Sequence, residues 1–202
     1  MPDNFDYLII GAGVVGSFVA RELSRYSDRV LVIEKEADIG MGSTSANSAI
    51  VHPGYDPVPG SLKARMNVKA NPLFDQLSDE LHFAFERVGD FVVAIGEHEL
   101  PALQTLYDQG IQNGVPGMRL IDADEMKRHE PLINPAVSGA LWASTGGICD
   151  PFQLCIAAAE SAVINKAQVW LNTAFESFIF EGSRIVGVRT NRGDIYARWV
   201  LN

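Results

Sequence analysis

Asp6-Tyr7-Leu8-Ile9-Ile10-Gly11-Ala12-Gly13-Val14-Val15-Gly16 is the stretch whose reading decides the fold. Tyr7 to Ile10 is a short, continuous apolar run closed by glycine, the pattern of a strand buried in a parallel sheet. From Gly13 to about Ser24 the period turns helical. Val15, Val19 and Leu23 share one face, and Arg21, Glu22 and Arg25 fall elsewhere. Arg29 to Glu34 (RVLVIE) reads as a second buried strand, so residues 6–34 predict one βαβ unit.

The turn between strand and helix has the GxGxxG spacing. That spacing is a weak signal alone and a strong one between a strand and a helix. Gly11 permits the tight turn, Gly13 lets the backbone approach a pyrophosphate, and Gly16 lets helix and strand pack closely. The helix start adds free N–H groups and a positive dipole end. An acidic residue is then expected about 20 residues on, where it binds ribose hydroxyls. Glu34 stands there.

Further along, Gly40 to Ser48 (GMGSTSANS) is a run of small and polar residues, followed by Ala49-Ile50-Val51-His52-Pro53-Gly54. Residues 61–81 read as helical, kinked or split at Asn71-Pro72. Residues 83–95 hold strand-like stretches, best at 91–95, and residues 97–113 a helix ending near Gly114. Asp122-Ala123-Asp124-Glu125 and Asp150-Pro151-Phe152-Gln153 both look like capping boxes opening helices. The second helix runs to about Asn165. Residues 168–171, 176–180, 184–190 and 195–201 read as strands joined by Gly182-Ser183 and Asn191-Arg192-Gly193-Asp194 turns.

A chain of 202 residues with 47% hydrophobic residues can bury a real core. Its net charge of −9 argues against a broad nucleic-acid-binding face. The residues from Met1 to Tyr7 include two aspartates and no Lys or Arg, unlike the basic start of a signal peptide. No run approaches the ~20 apolar residues of a membrane span. Cys149 and Cys155 lack CxxC spacing and read as reduced residues of a cytoplasmic protein. No metal-ligand spacing is present.

The fingerprint suits FAD and NAD alike, because both carry adenosine diphosphate. Two features favour FAD. The first βαβ unit is followed by the polar loop 40–48 rather than by another βα repeat, and the C-terminal stretch reads as an antiparallel meander. The pieces DYLIIGAGVVG, Glu34 after VLVI, GSTSANSAIVHPGY, GGICDP before a helix, and RIVGVRTNRGDIYARWVLN follow one another along nearly the whole chain. Together they resemble the D-amino-acid-oxidase-type superfamily of FAD-dependent oxidoreductases, and within it the FAD-dependent glycerol-3-phosphate dehydrogenases and oxidases. L-2-hydroxyglutarate oxidases are a near second, and the Asp56-Pro57 after Gly54-Tyr55 tilts the resemblance to the glycerol-3-phosphate branch.

The resemblance implies an α/β fold: a Rossmann-like FAD-binding domain with an antiparallel meander, at residues 1–82 and 146–202, plus part of an inserted α+β substrate domain at 83–145. It also implies that the chain is the N-terminal part of a longer protein, since the last strand of such proteins runs on into an Ala-Gly turn near the flavin. Gly11, Gly13, Val15 and Gly16 would meet the pyrophosphate through backbone, and Glu34 the adenosine ribose, with Lys35 beside it. Ser43, Thr44, Ser45, Asn47 and Ser48 would line the FAD, and the Phe175 backbone would meet the adenine. His52 matches a histidine that takes the substrate hydroxyl proton while a hydride leaves to flavin N5. Imidazole suits that step because its pKa lies near operating pH.

The implied reaction oxidises sn-glycerol 3-phosphate to dihydroxyacetone phosphate, with oxygen or a carrier reoxidising the flavin. Another substrate of the same superfamily (2-hydroxyglutarate or an amino acid), a nicotinamide dehydrogenase, and a non-catalytic nucleotide-binding or interaction fragment remain open alternatives. His82, His98 and His129 read as solvated or packed, Cys149 and Cys155 as packed, and Lys63 and Arg65 as a solvated helix face.

Overall fold

The computed structural model describes residues 5–202; the reading of the N-terminal segment falls partly on residues 1–4, outside the described residues. In chain order the elements begin with β1 (Phe5–Ile10), α1 (Val14–Leu23), β2 (Val30–Ile33) and β3 (Ile50–Val51). Then come α2 (Leu62–Ala70), α3 (Leu73–Leu81), β4 (Phe85–Glu86), β5 (Asp90–Ile95) and α4 (Leu100–Asn113). Next are β6 (Met118–Asp122), α5 (Ala123–His129), β7 (Val137–Ala143), β8 (Gly147–Cys149) and α6 (Pro151–Ile164). The chain closes with β9 (Gln168–Trp170), β10 (Phe175–Glu181), β11 (Arg184–Thr190) and β12 (Gly193–Leu201).

The chain divides into two compact units. Of the described residues, the first comprises 5–48, 81–84 and 150–202. Its six-stranded sheet has the order β10-β11-β12-β1-β2-β9. β1, β2 and β9 pair in parallel, and β10, β11 and β12 form the antiparallel meander. β12 serves both parts: residues 193–196 pair with β11, and 197–201 run parallel to β1.

The continuous apolar runs are explained by burial on both faces of this sheet. Leu8, Leu31 and Ile33 join a cluster with Val188, Ile195 and Ala197, while the alternate residues Ile9, Val30 and Val32 pack with Ala20, Ala162 and Ala167. Helix α1 keeps part of its expected face, with Val19 and Leu23 partly buried against the second of these clusters. Val15 is 75% exposed, and the fully buried positions are Ser17 and Ala20. Small residues win there because α1 packs against α6, whose buried face is Leu154, Cys155, Ala158, Ala159 and Ala162. Ser17 Oγ lies 3.5 Å from Cys155 Sγ.

The second unit comprises residues 49–80 and 85–149. It holds an antiparallel sheet β5-β7-β6 and a small sheet β3-β8-β4. On one side of the larger sheet, Ala94, Leu141 and Ala143 cluster with Leu103 of α4; on the other, Ile121, Val137 and Ala140 cluster with Met126 of α5. The first break in the chain therefore falls after residue 48, not near 82. The cause is pairing: Ile50 and Val51 bond to Ile148 and Gly147, and Tyr55 and Val68 pack with Leu103, Val115 and Met118. Among the described residues, no helix is long and apolar enough to cross a membrane.

Candidate functional site: a glycine-turn cleft

A cleft of about 790 Å3 opens in the first unit, where β1 and β2 end. Ligands in open α/β sheets bind outside the carboxyl ends of such strands. Gly11 has φ of +100°, a conformation that glycine adopts without a Cβ penalty. A Cβ on Gly16 would stand 2.0 Å from the Gly11 carbonyl oxygen, so only glycine lets the helix start this close to the strand end.

The turn is held from three directions. Gly11 N–H donates to the Ile33 carbonyl at 2.8 Å, and Ala12 N–H donates to the Glu34 carboxylate at 2.8 Å. The Ala12 carbonyl accepts from Gly40 N–H at 3.0 Å and from the Cys155 thiol at 3.5 Å. Burial is the main reason that the Cys155 thiol is pushed above its ordinary pKa, which keeps it a neutral donor.

Gly13, the residue before α1, has no side chain to cap the helix, and Thr44 takes over: its buried hydroxyl oxygen accepts from Val14 N–H at 3.0 Å. Among the described residues, the N–H groups of Gly13 and Val15 keep no protein partner. These donors and the positive end of α1 suit a diphosphate without a basic side chain. The far wall is Glu34, Thr173, Ala174 and Phe175. Glu34 and Thr173 are locked together, since Thr173 N–H donates to the Glu34 carbonyl at 2.7 Å.

Of the residues expected at a cofactor, Gly11, Gly13, Val15, Glu34, Lys35, Ser43, Thr44, Asn47 and Phe175 line this cleft. Gly16, Ser45 and Ser48 do not. Gly16 sits beneath the turn as a packing position, and the Ser45 hydroxyl donates to the Gly42 carbonyl at 2.8 Å. Asn47 turns its amide back to the Thr44 carbonyl at 2.7 Å. Val14, Met41, Thr173 and Ala174 line the cleft beyond those expected. Val14 lies within the GxGxxG turn and Met41 within the polar run 40–48, so both sit in stretches the sequence singles out, whereas Thr173 and Ala174, between β9 and β10, carry no motif of their own.

His52 belongs to the second unit. Val51, Pro53, Gly54 and Tyr55 around it are buried, and His52 alone is exposed. It borders a small hollow of about 60 Å3 with Asp56, Lys63 and Asn67. Lys63 Nζ is 3.7 Å from the Asp56 carboxylate, and this lysine borders the same hollow as His52 while lying on a solvated helix. The Tyr55 hydroxyl donates to Asp90 at 2.7 Å. Burial first, and then Asp90, raises its pKa above the ordinary tyrosine value. His98 is exposed, and His129 stacks on Trp142 with ring centroids 5.4 Å apart.

The family profile described as FAD dependent oxidoreductase (DAO) matches residues 6–202. Glycerol 3-phosphate dehydrogenase from Caloramator mitchellensis is 45% identical over 201 residues, covering 98% of this chain and 41% of that protein. Mitochondrial L-2-hydroxyglutarate dehydrogenase from Homo sapiens is 35% identical over 159 residues, covering 78% of this chain and 34% of that protein. Among solved structures, dithionite-reduced L-alpha-glycerophosphate oxidase from Mycoplasma pneumoniae with FAD bound superposes with a TM-score of 0.90 at 27% identity. That superposition covers 98% of this chain and 53% of the other. The chain thus spans about half or less of the length of the proteins it matches.

Proposed function

The chain belongs to the FAD dependent oxidoreductase family, and on that footing we propose that the whole protein oxidises sn-glycerol 3-phosphate to dihydroxyacetone phosphate. The observation that carries the substrate is the 45% identity to a glycerol 3-phosphate dehydrogenase across nearly the whole chain. The cleft supports the cofactor: the Gly13 and Val15 N–H groups receive the pyrophosphate, Glu34 the adenosine ribose, and Phe175 the adenine end. FAD, when bound, supplies the acceptor for the hydride and its two electrons.

This chain's own residues do the rest. Residues 5–48, 81–84 and 150–202 are the cofactor domain, and residues 49–80 and 85–149 are part of the substrate domain. A neutral imidazole nitrogen of His52 takes the substrate hydroxyl proton as the carbinol hydrogen leaves as hydride, and the C–O bond becomes the ketone. Lys63, across the same hollow, attracts the anionic substrate. Oxygen or an electron carrier then takes the electrons. The two free cysteines fit a cytoplasmic setting.

L-2-hydroxyglutarate is the second substrate reading, favoured by the 35% identity to the human dehydrogenase. Anaerobic stopped-flow reduction of the full-length protein by each compound separates the two. Reduction by sn-glycerol 3-phosphate at least about 100-fold faster than by L-2-hydroxyglutarate is expected, a ratio well within what a site that hydrogen-bonds its substrate achieves. The reverse order transfers the protein to the second reading.

A further inference from the structure

Asn71, at the junction of α2 and α3, is a buried polar residue at 6% exposure. Its Nδ2 donates to the His52 carbonyl at 3.0 Å and to the Thr145 carbonyl at 2.9 Å. Its Oδ1 accepts from Arg87 Nη1 at 2.8 Å, so both amide hydrogens and the oxygen are in use. Arg87 then grips the same junction with its other arm: Nη2 donates to the Asn71 carbonyl at 2.8 Å and to the Asp75 carboxylate. Nη1 also donates to the Thr145 carbonyl, and the guanidinium lies over the Phe85 ring, 4.9 Å from its centroid.

The consequence falls on His52. Val51 is fixed by its ladder partner Gly147, Pro53 is among the most deeply buried side chains, and a Cβ on Gly54 would stand 2.8 Å from Val68. Asn71 supplies the remaining anchor, at the His52 carbonyl itself. Ending α2 requires only the backbone of Asn71; the forked arginine and the bond to His52 are additional.

We propose that Asn71 and Arg87 are positioning residues that hold the His52 backbone so that its exposed imidazole is presented in one place. The inference rests on the proposed role of His52. Proton transfer depends steeply on placement, so loosening this anchor slows the chemistry more than substrate binding.

The test uses full-length holoenzyme and measures anaerobic flavin reduction by sn-glycerol 3-phosphate, expressed per bound flavin. Asn71→Ala is expected to lower the saturating rate by about 10- to 100-fold, with the half-saturating concentration within about threefold of wild type. Arg87→Lys keeps the charge but not the fork, and is expected to show a smaller loss of the same kind. A merely structural role would lower flavin content or thermal stability and leave the rate per bound flavin alone. Wild-type rates per bound flavin in both variants, with His52→Gln inactive, overturn the positioning role and leave His52 standing. A wild-type rate in His52→Gln overturns the reading on which both depend. If Asn71→Ala does not fold, Arg87→Lys decides by the same rate.

Discussion

The Glu34 carboxylate accepts a hydrogen bond from the Ala12 N–H at 2.8 Å, joining the end of β2 to the middle of the glycine turn. Its other oxygen accepts from Glu36 N–H at 3.0 Å. The residue expected to bind ribose is therefore also a brace for the turn. Each carboxylate oxygen has a second lone pair, so the two roles are compatible.

Glu34→Ala in the full-length protein is expected to weaken FAD binding by about 10- to 100-fold, the loss of charge-assisted hydrogen bonds. Equilibrium dialysis against FAD measures it. Unchanged affinity would deny Glu34 both roles.

Thr44 caps α1 from 30 positions away. Thr44→Val keeps the shape and leaves Val14 N–H without its acceptor. A loss of about 1 kcal/mol in unfolding free energy is expected, with Thr44→Ser close to wild type. Urea denaturation followed by circular dichroism checks both; equal stability of all three proteins would remove the cap from the account.

Gly16→Ala places a methyl group 2.0 Å from the Gly11 carbonyl oxygen. Backbone must move, at about 1–3 kcal/mol, and the turn that faces the cleft moves with it. The purified variant is expected to carry little flavin while remaining folded by circular dichroism. Full flavin content would mean that the close approach at this position is not required.

Tyr55 stays protonated in the folded protein above its ordinary range. Its contribution to stability is complete below about pH 10, where the unfolded phenol also holds its proton, and falls as the pH rises past that value. Tyr55→Phe is expected to be less stable at neutral pH by about 1 kcal/mol, for the lost hydrogen bond to Asp90. Above pH 10 its stability should fall less steeply than that of the wild type. Parallel pH–stability curves would contradict this placement of Tyr55.

The nucleotide half of the fold is legible in sequence because its signals are local. Tyr7 to Gly16 announces strand, turn and helix within ten residues, and Glu34 follows at the end of the next apolar run. The caps are half legible. Asp122 and Asp150 accept the N–H groups expected of them. The reciprocal bonds are replaced by tertiary ones: Gln153 accepts from Ala84, and Glu125 pairs with Arg119. β7, with the sequence VSGALWA, carries little β-propensity and is made a strand by pairing with β5 on one side and β6 on the other. β3, β4 and β8 have two or three residues each, too few to show a period. Thr44 and Asn71 owe their roles to partners 16 to 74 positions away, and no local pattern encodes that.

The most direct test of the central claim is the visible absorbance spectrum of the purified full-length protein, before and after sn-glycerol 3-phosphate is added without oxygen. Flavin bands that bleach on addition are the predicted result. No flavin bands, even after reconstitution with FAD, would contradict it.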